Sequence, residues 1–178
     1  MISVGDSVYV RSKGWLSSAI AYVSSGGNTS KNIPSHEARV LDVSDEIVLI
    51  EVVFKGKRKI LLSKYVESGA KVWVKRDEFL NKDNIPNLIS YLKLITVKKY
   101  DWGLITGFLV RAILRKLFSK HTWNWVTKLL DKKKSFVCSE YQNAGRRYVG
   151  MKVKENETPK DNFTKIPAKL IEAYNVSS

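Results

Sequence analysis

His36-Glu37-Ala38-Arg39-Val40-Leu41-Asp42-Val43-Ser44-Asp45-Glu46-Ile47-Val48-Leu49-Ile50-Glu51-Val52-Val53-Phe54 is an alternating stretch, a polar Ser-Asp pair, then a β-branched run. That order predicts two antiparallel strands joined by a turn. In the second strand Glu51 stands as the only charge among Ile47, Val48, Leu49, Ile50, Val52, Val53 and Phe54. A carboxylate buried there without a partner is costly, so the strand predicts a partner for it. If the hairpin closes through Ser44-Asp45 as a two-residue turn, Val43 pairs with Glu46, His36 with Val53, and Ala38 faces Glu51. His36 and Glu51 then leave the same face as diagonal neighbours, about 7–8 Å apart between those positions. A slip of one residue would put them on opposite faces.

Working outward, Asp6 to Arg11 reads as a short strand opened by Gly5-Asp6, and Ser12 to Val23 as a short helix. A loop follows through Gly26-Gly27-Asn28 to Pro34. Lys55-Gly56 is a second turn signal, after which Arg58 to Tyr65 and Ala70 to Lys75 complete an expected meander of antiparallel strands. From Ile85 the period becomes helical. Leu88, Ile89, Leu92 and Ile95 make one stripe, and Leu104, Ile105, Phe108, Leu109, Ala112, Ile113, Leu117 and Phe118 another. A third helix is expected over Trp123 to Leu130. A fourth begins near Ser135, with Val137, Tyr141, Ala144 and Tyr148 on one side. A sheet followed by helices in one domain is α+β.

The 178 residues suit one domain with a full core, and 44% hydrophobic content with five tryptophans argues for a packed globule. The net charge of +14 favours anionic surroundings: nucleic acid, phospholipid head groups or an anionic cell-wall polymer. Clusters at Lys55, Lys57, Arg58 and Lys59 and at Arg146 and Arg147 keep nucleic acid open as a partner. No recognisable nucleic-acid module accompanies them, so it is not favoured. Met1-Ile2-Ser3-Val4 begins without a basic n-region or an apolar h-region, unlike a secretory signal. Leu104 to Phe118 is interrupted by Arg111, Arg115 and Lys116 and is too short to span a bilayer. The expectation is a soluble chain made in the cytoplasm, without a transmembrane segment, and with export by other means open.

Chemistry narrows to Cys138, the single cysteine, in Ser135-Phe136-Val137-Cys138-Ser139-Glu140-Tyr141. One thiol makes no internal disulfide, and two histidines with one cysteine are a poor start for a metal site. Neither metal nor cofactor is expected. Two readings of the thiol remain, a buried inert side chain and a nucleophile. If Ser135 caps the helix, Cys138 lies in the first turn, where unpaired amides and the dipole favour a thiolate. Lys132-Lys133-Lys134 would act in the same direction. His36, opening a strand after a Gly/Asn/Ser/Pro loop, is either an exposed loop-end histidine or the general base such a nucleophile needs. Glu51, if it orients that imidazole, is the third member of a cysteine–histidine–acid triad.

Gly5-Asp6 opening a strand, Ser35-His36 opening another, a polar residue on the next, Tyr100-Asp101-Trp102 and late Cys138-Ser139-Glu140-Tyr141 resemble the permuted NlpC/P60 papain-like cysteine hydrolases, nearest to the YiiX/YebB-like group. In that group the histidine precedes the cysteine, as His36 precedes Cys138. The resemblance runs in order along nearly the whole chain. It implies a papain-like antiparallel sheet or small barrel packed against helices, in one domain spanning residues 1–178. It also implies that Cys138 is the nucleophile, His36 the base and then acid, and Glu51 the orienting group, with Tyr100 and Ser139 touching substrate. Thr158-Pro159-Lys160-Asp161 resembles the family's closing segment. The departure is a basic, aromatic helical stretch at about 103–134, taken as an insertion that is either core with a solvated face or a helix for anionic surfaces. His121 within it is a reserve base or a structural residue. The expected substrate is an amide bond in a cell-wall peptide or a related isopeptide, and the chain would suit a bacterial or phage origin. The alternatives are an acyl lipid hydrolase or acyltransferase, and a non-catalytic structural or nucleic-acid-binding module that retains the fold.

Overall fold

The computed structural model describes residues 1–24, 30, 32–53, 55–97, 138–155 and 157–176. Tyr100, Trp102, His121, Lys132 to Lys134, Ser135 and the proposed insertion at 103–134 lie outside the described residues.

Gly5 takes φ +90° and starts β1 (Ser7–Arg11), after which α1 (Trp15–Ser24) leads to the loop before β2 (His36–Asp42). β3 (Val48–Val53) and β4 (Gly56–Leu61) follow, then α2 (Leu62–Glu67), β5 (Lys71–Asp77) and α3 (Ile85–Leu94). Beyond the undescribed stretch come α4 (Cys138–Tyr148), α5 (Pro159–Lys165) and β6 (Ala168–Tyr174). The six strands among the described residues form one antiparallel sheet in the order β4-β3-β2-β1-β5-β6. The architecture is α+β, as the change from alternating to helical period predicts.

The simple meander holds only for β1 to β4. β5 pairs with β1 instead of β4, because the strand expected over Arg58 to Tyr65 ends at Leu61 and the chain turns helical. Leu62, Tyr65 and Val66 recur at helical spacing, and α2 buries Leu62 with Tyr65 against the sheet while it carries the chain back to the free edge of β1. β6 has no counterpart among the expected strands. It is a largely exposed edge with Lys169, Leu170 and Glu172 in sequence, so it lacks the alternation that marks a half-buried strand.

Strand alternation sorts the side chains into two cores. Val8, Val10, Ala38, Val40, Leu49, Val72 and Val74 face one way and are closed by Leu62 and Tyr65 of α2. Leu41, Ile50 and Val52 face the other way, under Leu88, Ile89 and Leu92 of α3 and Tyr141 of α4. The two helices approach closely at Gly145, where a Cβ would lie 2.7 Å from Leu88 Cδ1 and 2.9 Å from Leu92 Cδ2. Tyr141 and Ala144 are buried as the expected stripe requires, whereas Tyr148, placed on that stripe, is 61% exposed and stacks on Tyr91 at 4.3 Å. α5 begins with a capping box between Thr158 and Asp161. No described helix is long and apolar enough to cross a membrane.

Candidate active site

The site forms where the first residue of β2 meets the first residue of α4. Ser35, directly before His36, is pinned to two elements. The Ser35 amide donates to the Val10 carbonyl at 2.9 Å, and the Ser35 and Ser17 hydroxyls lie 2.6 Å apart. Arg11 Nη1 donates to the Ser17 carbonyl at 2.6 Å, which ties α1 to the same corner.

Register brings in the acid. Arg39 pairs with Ile50 and Val40 with Leu49, and continuing that register sets Ala38 opposite Glu51. This is the alignment a two-residue turn at Ser44-Asp45 would produce, yet the turn itself is different. The strands are joined through residues 43–47, and a bulge between Val40 and Asp42 pairs Asp42 with Val48. Asp42 organises the longer loop, its Oδ1 accepting from the Val43 amide at 2.8 Å and the Ser44 amide at 3.2 Å. The bulge absorbs the additional residue before the site is reached, so the faces stay in phase.

His36 Nε2 and Glu51 Oε2 are 2.7 Å apart, with the Glu51 side chain fully buried and that of His36 17% exposed. Two further residues hold the carboxylate. Tyr65 OH donates to Oε2 at 2.7 Å, and Arg58 Nε donates to Oε1 at 2.7 Å. Neither was singled out as a site residue from the sequence. Arg58 could have been, because pairing Val53 with Gly56 across the tight turn sets Arg58 directly opposite Glu51. Tyr65 could not, since its position depends on the strand breaking into α2.

Cys138 is buried and makes no disulfide, and it is close enough to the His36 ring to act on it by hydrogen bond and charge. Burial alone would push the imidazole below its ordinary 6.5. Cys138 and Glu51, by charge and hydrogen bond, outweigh burial and carry it up to about 10. Glu51 moves the other way. Burial would raise its carboxyl, but bonds from His36, Tyr65 and Arg58 together with the His36 charge bring it down to about 2. Tyr65 is driven upward by burial and by the neighbouring Glu51 charge, so it remains a neutral donor. Nε2 is committed to Glu51, so a second hydrogen bond of the ring would use Nδ1.

Cys138, His36 and Glu51 are therefore brought together. Ser139 is buried at 1% exposure beside Cys138, and Tyr100 lies outside the described residues. Among the described residues no group of three His, Cys, Asp or Glu side chains could hold a metal ion.

A second polar cluster anchors the helix that carries the sulfur. Arg146, at the far end of α4, donates through Nε to Asp77 Oδ2 at 2.9 Å and through Nη1 to Asn143 Oδ1 at 3.0 Å. Its Nη2 donates to Ser7 Oγ at 2.9 Å and lies 2.7 Å from Glu37 Oε1. Arg39 Nη1 also donates to Asp77 Oδ2 at 3.0 Å, and its Nε to Gln142 Oε1 at 3.3 Å. Asn162 of α5 closes the cluster, giving 2.6 Å to Glu37 Oε2. Burial would raise the Asp77 carboxyl, but the Arg146 and Arg39 charges hold it far below the usual range.

No protein-family model matches this chain, and no characterised protein matches it significantly.

Proposed function

We propose that the chain is a papain-like cysteine hydrolase of the permuted NlpC/P60 type, cleaving an amide bond through an acyl-thioester on Cys138. The observation that carries this reading is the single imidazole shared between a thiol and a buried carboxylate, at the start of a helix. Cys138 Sγ attacks the carbonyl carbon while main-chain amides at the start of α4 receive the developing oxyanion. The C–N bond breaks as His36 gives its proton to the leaving amine. Water then adds to the thioester, its proton passes to His36, and the C–S bond breaks to release the acid and restore the thiol. Glu51 keeps the ring oriented and favours its charged form. Ser139, buried at 1% exposure, offers a substrate little surface.

The peptide of a cell wall is the leading substrate class, on the strength of the resemblance and of a basic chain suited to an anionic polymer. The test is alkylation by iodoacetamide followed by intact-mass analysis, alongside hydrolysis of a panel of wall peptides and acyl lipids. A reactive Cys138, silent in Cys138→Ala, with peptide turnover and acyl-enzyme mass is the expected result. A Cys138 no more reactive than free cysteine at neutral pH would end the reading.

A further inference from the structure

β4 and the C-terminal end of α3 wall a groove of about 470 Å³ lined by Ile50, Lys57, Arg58, Lys59 and Lys93. Four of the five lining residues are cationic and none is acidic. Two lines of contact connect the groove to Cys138. Along one, Arg58 bonds Glu51, which bonds His36, which reaches the sulfur. Along the other, Tyr141, one turn beyond Cys138 on α4, donates to the Leu92 carbonyl at 2.5 Å, and Lys57 Nζ meets the same oxygen at 3.4 Å.

The cations have different duties. Lys57 Nζ also donates to the Lys93 carbonyl at 2.6 Å and the Ile95 carbonyl at 2.9 Å, so it closes the end of α3 and shapes the wall. Arg58 gives Nε to Glu51 while its side chain stays 47% exposed. Lys59 and Lys93 are exposed, and no hydrogen bond or ion pair engages either ammonium group among the described residues. The acid that feels Lys93 is Asp42, whose carboxyl is lowered chiefly by its bonds from Ser44 and Val43 and least by that lysine. Basic residues on an edge strand also discourage strand pairing. That accounts for Lys57 to Lys59 but not for Lys93, which comes from a helix on the other side of the groove.

We infer that this groove is a subsite for a phosphate-bearing part of the substrate, an inference that rests on the hydrolase reading for its link to catalysis. Cations converging from two elements suit a dianionic tetrahedral group.

The test is calorimetric titration of the full chain with inorganic pyrophosphate at low ionic strength. Lys59→Glu and Lys93→Glu should each weaken binding roughly tenfold, whereas Lys82→Glu, an equal charge change elsewhere on the surface, should weaken it less than about twofold. Lys59→Ala and Lys93→Ala should show smaller losses in the same order, which guards against misfolded reversals. Co-sedimentation with phosphatidylglycerol and with phosphatidylcholine vesicles assigns the phosphate. Groove-dependent binding to the first alone indicates a lipid head group, and pyrophosphate binding without vesicle binding indicates a soluble or polymeric phosphate. Absence of pyrophosphate binding, or equal losses in all three reversals, overturns the subsite. An unreactive Cys138 beside intact pyrophosphate binding would instead sink the hydrolase and leave an anion site.

Discussion

Among the described residues, the polar clusters around Asp77 and around Glu51 use buried charge to opposite ends. In the first, Arg39, Arg146, Glu37 and Asp77 are all 0% exposed, two cations against two anions. In the second, one sealed carboxylate serves three donors, each of them partly exposed, His36 at 17% and Arg58 at 47% among them. A balanced, enclosed cluster has no group free to change protonation without great cost, so it fixes geometry. A cluster placed at the boundary holds a ring that can take and give a proton beside a thiol. α4 joins the two, because Cys138 opens it and Arg146 lies two turns on. The enclosed cluster clamps the element that presents the sulfur.

The largest expected effect breaks the enclosed cluster. Arg146→Ala leaves Asp77 and Glu37 short of their cation and should cost roughly 3–5 kcal/mol, read as a large fall in the denaturation midpoint. At the boundary cluster the loss should be in rate. His36→Ala should lower kcat/KM, or the alkylation rate of Cys138, by roughly 10²–10⁴-fold with the fold retained, measured at constant ionic strength.

Acidity sharpens the contrast. The raised His36 group stabilises the fold fully below its unfolded value of 6.5, and that contribution is lost as pH rises toward about 10. The lowered Glu51 group stabilises fully above 4.5, and its contribution is lost as pH falls toward about 2. Their joint contribution is therefore complete between 4.5 and 6.5. Glu51→Gln should flatten both limbs of the stability–pH curve from chemical denaturation and shift the His36 ring titration, followed by NMR, to lower pH. An unchanged ring titration would separate Glu51 from His36 in solution.

Much of the boundary cluster was legible because it obeys local rules. One charge in the apolar run of β3 called for a partner, and period-two alternation named His36. The turn between them was misjudged without harm, since the bulge restores phase ahead of the site. The enclosed cluster was not legible. Glu37 and Arg39 look like the solvated face of a half-exposed hairpin, and only the packing of α4 and α5 over that face turns them inward. Arg146 and Arg147 are adjacent and alike in sequence, yet Arg146 is fully buried and Arg147 is not. Helical phase against the sheet makes that distinction, and composition does not. β6 escaped for the reverse reason, being an edge too exposed to show a pattern.

The smallest expected effect separates a partner of Glu51 from a competitor for it. Tyr65 OH and His36 Nε2 both bond Glu51 Oε2 at 2.7 Å. Tyr65→Phe removes one hydrogen bond to a charged group, a loss of about 1.5–3 kcal/mol at most. It leaves His36 and Arg58 in place. With one donor fewer the carboxylate becomes more basic, so the acid limb of the stability curve should move to higher pH. The oxygen relinquished by the phenol turns more fully to the imidazole, so the His36 ring should keep or raise its titration point, opposite in direction to Glu51→Gln. A fall in Tyr65→Phe would mean that the phenol positions the ring instead of sharing its oxygen. NMR titration of the imidazole in the two variants, side by side, decides between those roles.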